Sequence, residues 1–126
     1  MSEDPAVGLV RSLLQHLRSS SDDWASLALV VKLHPRGVRG VHGYTYDADG
    51  AFSGASARPS GINDAVAAYT ASHFAPGEAL PACLLVQFDR TSGRYEVTFE
   101  DTDATRWDVT PDNVDTMAAS MRPQLG

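Results

Sequence analysis

The sequence has 126 residues, of which 43% are hydrophobic and 21% charged, and its formal net charge is −6. This length predicts one domain, and the composition is that of a globular protein able to bury a core without a disulfide or a structural metal. The acidic balance argues against binding to nucleic acid or to an anionic membrane, where lysine and arginine supply the affinity, and favours a basic protein partner.

No segment indicates secretion or insertion into a membrane. The N-terminus begins acidic and lacks the basic flank and apolar run of a signal peptide. No apolar run approaches the roughly 20 residues of a membrane-spanning helix. The single cysteine, Cys83, excludes an intramolecular disulfide and fits a reducing compartment. We therefore expect a soluble, cytoplasmic protein in which Cys83 is a small buried core residue.

The first half of the chain predicts a helix followed by three strands. Apolar residues recur at helical spacing over residues 4–18, which is typical of an amphipathic helix. The strands that follow are predicted at 24–33, 38–46 and 51–55. Polar or glycine-containing turns separate these elements at 19–23, 34–37 and 47–50. The first strand is apolar on both faces, which indicates a central position in the sheet.

The second half predicts a helix, an acidic hairpin and a final helix. The first helix covers 62–74, and the last begins at Thr110-Pro111, a capping hydroxyl followed by proline. Between them the strands are predicted at 83–88 and 94–100, with one more short strand at 106–109. The order α-β-β-β-α-β-β-(β)-α predicts an α+β fold: a mostly antiparallel sheet of five to six strands with three helices.

The stretch 80–109 carries most of the charge information. Residues 94–100 alternate strictly, with Tyr95, Val97 and Phe99 on one face and glutamates on the other. From Asp89 to Asp115 there are eight acidic residues and three arginines, a local net charge of −5. The acidic face has three interpretations: a solvated surface, a protein-binding surface, or a catalytic carboxylate pair, which needs a pocket that raises one pKa.

Other chemistry finds little support in the sequence. The histidines at 16, 34, 42 and 73 lack a cysteine or carboxylate at zinc-ligand spacing. No dinucleotide fingerprint, phosphate loop or nucleophile elbow occurs. We therefore expect no metal, no cofactor and no catalytic residue. An alternative remains open, in which His34 and His42 converge beside a glycine-rich turn and line the pocket of a small ligand-binding or hydrolase domain.

The acidic hairpin also carries a family resemblance. An apolar strand (CLLVQF, 83–88) leads through a turn at 89–93 to an aromatic and acidic strand (RYEVTFED, 94–101). This segment is similar to the closing hairpin of the YezG-like immunity proteins, small bacterial cytoplasmic antitoxins that neutralise secreted polymorphic toxins, often nucleases. The N-terminal helix followed by Trp24 and an apolar strand also resembles the layout of that family. The resemblance implies an α+β fold and a toxin domain as partner.

The sequence and the resemblance lead to one hypothesis, a non-enzymatic immunity protein that occludes a basic toxin surface. An array of carboxylates would be steered electrostatically into such a surface. Trp107 is either an aromatic anchor of this interface or a core residue packed with Val109. The predicted partner-binding residues are Glu96, Glu100, Asp101, Asp103, Trp107 and Asp108. The oligomeric state is left open between a monomer and a homodimer.

Overall fold

A six-stranded antiparallel sheet organises the fold of the protein, which we describe from a computed structural model covering residues 4–19, 23–34 (backbone only at 34), 37–75, 77–103 and 105–123. The helices are α1 (Pro5–Gln15), α2 (Pro59–His73) and α3 (Val114–Met121). The strands are β1 (Leu17–Ser19), β2 (Ser26–His34), β3 (Gly37–Tyr46), β4 (Phe52–Ala57), β5 (Cys83–Asp89) and β6 (Tyr95–Glu100). They lie in the order β1-β4-β3-β2-β5-β6. The predicted α+β class is confirmed.

Helices cover both faces of the sheet, because its central strand is apolar on both sides. On β2, Leu27, Leu29 and Val31 pack on the face that α1 and α2 cover, here called the α1/α2 face. Ala28 and Val30 pack on the opposite face, the α3 face, together with α3. This is the two-sided burial that the run of apolar residues predicts for a central strand.

The helices α1 and α2 approach each other closely at Gly61. A Cβ atom at Gly61 would lie 2.2 Å from a ring carbon of His16, so the contact depends on glycine. The Ser12 hydroxyl donates to the Gly61 carbonyl at 3.3 Å. The Asp4 side chain caps α1 by accepting from the Ala6 amide at 2.9 Å, and proline occupies the first turn. Among the described helices, none is long and apolar enough to cross a membrane.

Three local predictions are corrected. The first helix ends at Gln15 rather than at 18, because residues 17–19 form β1 and pair with β4 from Leu17 opposite Ala57. The segment 106–109 is not a strand: the Asp108 amide donates to the carbonyl of Thr105 within a turn. The last helix begins at Val114, after a turn. The turns predicted at 19–23 and 34–37 lie partly outside the described residues.

Candidate functional site

The acidic loop, residues 100–103 and 105–108, leaves the edge strand β6 and crosses the α3 face of the sheet. The Cys83 thiol lies 3.8 Å from the Asp103 carbonyl, which places the loop over β5. Farther along, the His42 Nε2 atom lies 2.9 Å from the Trp107 carbonyl, which places the loop over β3. The loop therefore spans the middle of the sheet beside α3.

Glu100 organises the start of the acidic loop. Its Oε2 atom accepts from the backbone amides of Thr102 and Asp103, each at 3.3 Å. Its Oε1 atom accepts from the Arg106 guanidinium at 3.1 Å. The Asp103 amide, then the Thr102 amide, and with them Arg106, hold the pKa of Glu100 below its usual value. Glu100 is therefore a fixed negative charge.

Asp103 and Asp108 are held in the same way by neighbours. Asp103 accepts from the Thr105 hydroxyl at 2.7 Å and from the Thr105 amide at 2.9 Å, and these bonds lower its pKa. The Asp108 carboxylate pairs with the Lys32 ammonium, which β2 presents on the α3 face. Three of the predicted partner-binding carboxylates thus also maintain the shape of the loop that carries them.

Of the two interpretations left open for Trp107, the structure places its side chain in the core. Its side chain is 6% exposed and packs in the apolar cluster of the α3 face. The Arg106 guanidinium lies over the Trp107 ring, 4.7 Å from its centroid, and so bridges Trp107 and Glu100. The burial follows from the turn at 105–108, which aims the indole at the sheet.

The two remaining predicted residues, Glu96 and Asp101, are exposed and lie on different sides of the sheet. Glu96 is paired in register with Gln87, whose side-chain amide donates to the Met121 carbonyl in α3 at 2.8 Å. Glu96 therefore lies on the α3 face. Asp101 instead borders a groove at the C-terminal end of α2. The structure does not bring all the predicted carboxylates onto one surface.

Two further exposed carboxylates lie near the start of α3: Asp112 in the turn before the helix and Asp115 in its first turn. Burial, and after it the charge of Asp115, raises the pKa of the Tyr44 hydroxyl, which places Asp115 near the α3 face. Both residues lie within the acidic stretch of the sequence, but no pattern there indicates a binding role for them. The acidic surface, as named from here on, consists of Glu96, Glu100, Asp103, Asp108, Asp112 and Asp115.

The open groove at the end of α2 has a volume of about 770 Å³ and mostly apolar walls. Its lining includes Leu33, Thr70, Phe74 and Leu80, with carboxylates at Glu78 and Asp101, and the described residues of the lining contain no histidine. Beside it, Phe74 lies 5.6 Å from Phe99, ring centroid to centroid, in an aromatic cluster that fixes β6 against α2. No pattern in the sequence indicates this groove.

Of the two histidines of the predicted pocket, only the side chain of His42 can be placed relative to this groove. His42 faces the Trp107 carbonyl on the α3 face, and the side chain of His34 lies outside the described residues. In the described part of the chain, no group of three or more histidine, cysteine, aspartate or glutamate residues is arranged to hold a metal ion. Burial, followed by the charge of Glu100, raises the pKa of the Cys83 thiol, so Cys83 is not an activated nucleophile.

Comparison with protein-family models, with curated proteins and with solved structures finds no match to this chain.

Proposed function

We propose that the protein is a non-enzymatic immunity protein, of the YezG-like kind that its acidic hairpin resembles, and that it neutralises a cognate toxin domain through the acidic surface. The observation that carries the proposal is the fixed geometry of these carboxylates. Glu100 and Asp103 are held by hydrogen bonds that lower their pKa values. A surface that is already ordered and charged binds a basic cleft with little loss of side-chain entropy.

The burial of Trp107 changes how this surface would work. The indole supports the acidic loop from below, together with the Lys32–Asp108 pair, and does not reach a partner. Affinity would then come from charge complementarity across the surface, with fast association that slows as salt screens the charges. Binding dominated by an aromatic anchor would show much weaker dependence on salt.

The experiment needs a candidate toxin, which is sought as a secreted protein encoded next to this gene; its C-terminal domain is immobilised, and association with the full chain is measured. Glu96→Lys reverses an exposed charge on the acidic surface, and Asp101→Lys does so beside the groove. Asp64→Lys, at an exposed position on α2, is the matched control. We expect Glu96→Lys to slow association about 10-fold at low salt, with the control unchanged.

Two outcomes of this experiment count against the proposal. The acidic surface is not the binding site if Asp101→Lys slows association and Glu96→Lys does not. The immunity function itself is rejected if the toxin domain, expressed in cells together with the wild-type protein, kills them as fast as it does alone.

The alternative of a small ligand-binding or hydrolase domain near His34 and His42 draws less support. Such a site requires a cavity lined by a histidine and a carboxylate. Among the described residues, those that line the groove at the end of α2 include carboxylates but no histidine. His42 is already engaged by the acidic loop.

A further inference from the structure

Within the described part of the chain, no strand pairs with the outer edge of β6, which is the longer of the two edge strands. The sheet ends at β1 on one side, with three residues, and at β6 on the other, with six. A short edge strand offers few unpaired backbone groups, whereas a long one is a template for another strand. β6 contains neither proline nor lysine, two residue types that commonly block such pairing.

The direction of the unpaired backbone groups on β6 follows from its pairing with β5. The Asp89 amide donates to the Arg94 carbonyl at 2.8 Å, so residue 94 turns its hydrogen-bonding groups toward β5. In an antiparallel ladder these groups alternate along a strand. The amides and carbonyls of Tyr95, Val97 and Phe99 therefore point to the free edge.

These outward groups restrict how two copies of β6 pair about a twofold axis. With Val97 opposite Val97 of a second copy, Tyr95 faces Phe99 of that copy and Arg94 faces Glu100, at each end of the pair. Glu96 then lies opposite Thr98, which carries no charge. Aromatic pairs and opposite charges placed directly across two strands stabilise the pairing.

The neighbouring registers are unfavourable. A shift by two residues in one direction places Glu96 opposite Glu96 of the second copy. A shift in the other direction places Glu96 opposite Glu100 twice. Like charges directly opposite each other destabilise an antiparallel pair. Of these three registers, only the one centred on Val97 places no like charges opposite each other.

We propose that the protein is a homodimer in which β6 pairs with β6 of a second copy, antiparallel and centred on Val97, so that the two sheets become one continuous sheet. The dimer uses the edge of the sheet, whereas the acidic surface lies on its α3 face. The proposal is independent of the immunity function, because it requires no other protein.

The first experiment measures the sedimentation of the purified full-length chain over a dilution series. Val97→Pro removes an amide that points to the free edge, which leaves the bonds to β5 intact. We expect a dimer for the wild type and a dissociation constant at least about 10-fold higher for Val97→Pro, since two intermolecular hydrogen bonds are lost. Circular dichroism checks that the variant is folded.

A charge variant keeps the test decisive if the proline variant does not fold. Arg94→Glu places two glutamates opposite each other at both ends of the pair and weakens the dimer. Arg39→Glu makes the same charge change at an exposed position on β3 and leaves the dimer intact. A wild-type chain that sediments as a monomer at every concentration overturns the proposal. So does a dimer that withstands Val97→Pro and Arg94→Glu.

The register is tested by disulfide formation. Across a hydrogen-bonded pair the two Cα atoms are about 5.5 Å apart, within the range that a disulfide spans. We expect Val97→Cys to form a covalent dimer under mild oxidation. Tyr95→Cys is the matched control, because the two copies of residue 95 lie about 13 Å apart in this register. Cross-linking of Tyr95→Cys with no cross-linking of Val97→Cys refutes the register.

Discussion

Replacing Trp107 by alanine distinguishes a core residue from an interface anchor most directly. The side chain is 6% exposed and packs in the apolar cluster that β2, β3 and β5 form with α3. A buried tryptophan removes about 150–250 Å² from water, worth about 4–6 kcal/mol at 25 cal/mol per Å². Measured tryptophan-to-alanine losses in cores are about 3–5 kcal/mol. We therefore expect Trp107→Ala to lower the free energy of unfolding by about 4 kcal/mol.

This loss is a large part of the stability of a domain of this size, which is about 5–15 kcal/mol. The assay is urea unfolding followed by circular dichroism, with the midpoint and slope fitted for each variant. Val109→Ala is the matched control, since Val109 lies two residues along and is 38% exposed; it should lower stability by less than about 1 kcal/mol. Trp107→Phe, which keeps part of the apolar volume, should fall between the two.

The result that refutes the reasoning is a Trp107→Ala variant within about 1 kcal/mol of wild type, which would be the effect of a surface position. If that variant also lost its affinity for the toxin domain, Trp107 would be an anchor that the partner contacts.

Three smaller predictions follow from contacts elsewhere. The folded-state pKa of Glu100 lies below the usual 4.5, so the carboxylate stabilises the fold fully above that pH, and this contribution is lost as the pH falls through the lowered pKa. The difference in stability between wild type and Glu100→Gln should therefore shrink from pH 7 to pH 3 in urea titrations. A constant difference contradicts this prediction. Gly61→Ala forces a Cβ atom against the His16 ring and should destabilise the protein by about 1–3 kcal/mol in thermal unfolding. Gly54→Ala, the control, places its Cβ atom in open space and should change stability by less than about 0.5 kcal/mol. Equal effects of the two substitutions would be evidence against the contact between Gly61 and His16. Tyr46→Phe removes the hydroxyl that donates to an α3 carbonyl at 2.7 Å and should destabilise by about 1–2 kcal/mol in urea unfolding, and a neutral result would show that this bond contributes nothing.

Much of the fold was predictable because the strands carry regular patterns. The two-sided apolar run of β2 places it in the middle of the sheet, and the alternation from Tyr95 onward places β6 with one face toward the core. β1 was missed because its three residues are too few to show a period. The prediction of a strand at 106–109 was wrong, because one apolar residue, Trp107, between polar neighbours occurs in strands and in turns alike.

The candidate site was less predictable than the fold, because its side chains contact residues that are distant in the sequence. The charge of the acidic stretch can be counted from the sequence. However, Lys32 is 76 residues from Asp108, and only the position of β2 beneath the loop brings them together. Likewise, the separation of Asp101 from Glu96 depends on which side of the sheet the chain takes after β6. No local pattern reveals either arrangement.

The two proposals depend on different groups of β6 except at Glu100, so they can be tested separately at other residues. Dimerisation would use backbone groups that point outward in the plane of the sheet, with the Arg94–Glu100 pair at each end, whereas toxin binding would use side chains that project from the α3 face. Val97→Pro should therefore weaken the dimer without altering the charge of the acidic surface. Glu96→Lys should weaken toxin binding while its lysine faces an uncharged threonine in the dimer. Because one continuous sheet would carry both acidic surfaces on the same face, a dimer would present two binding sites. A Val97→Pro monomer that still binds one toxin domain with unchanged affinity per site would show that the two functions are independent.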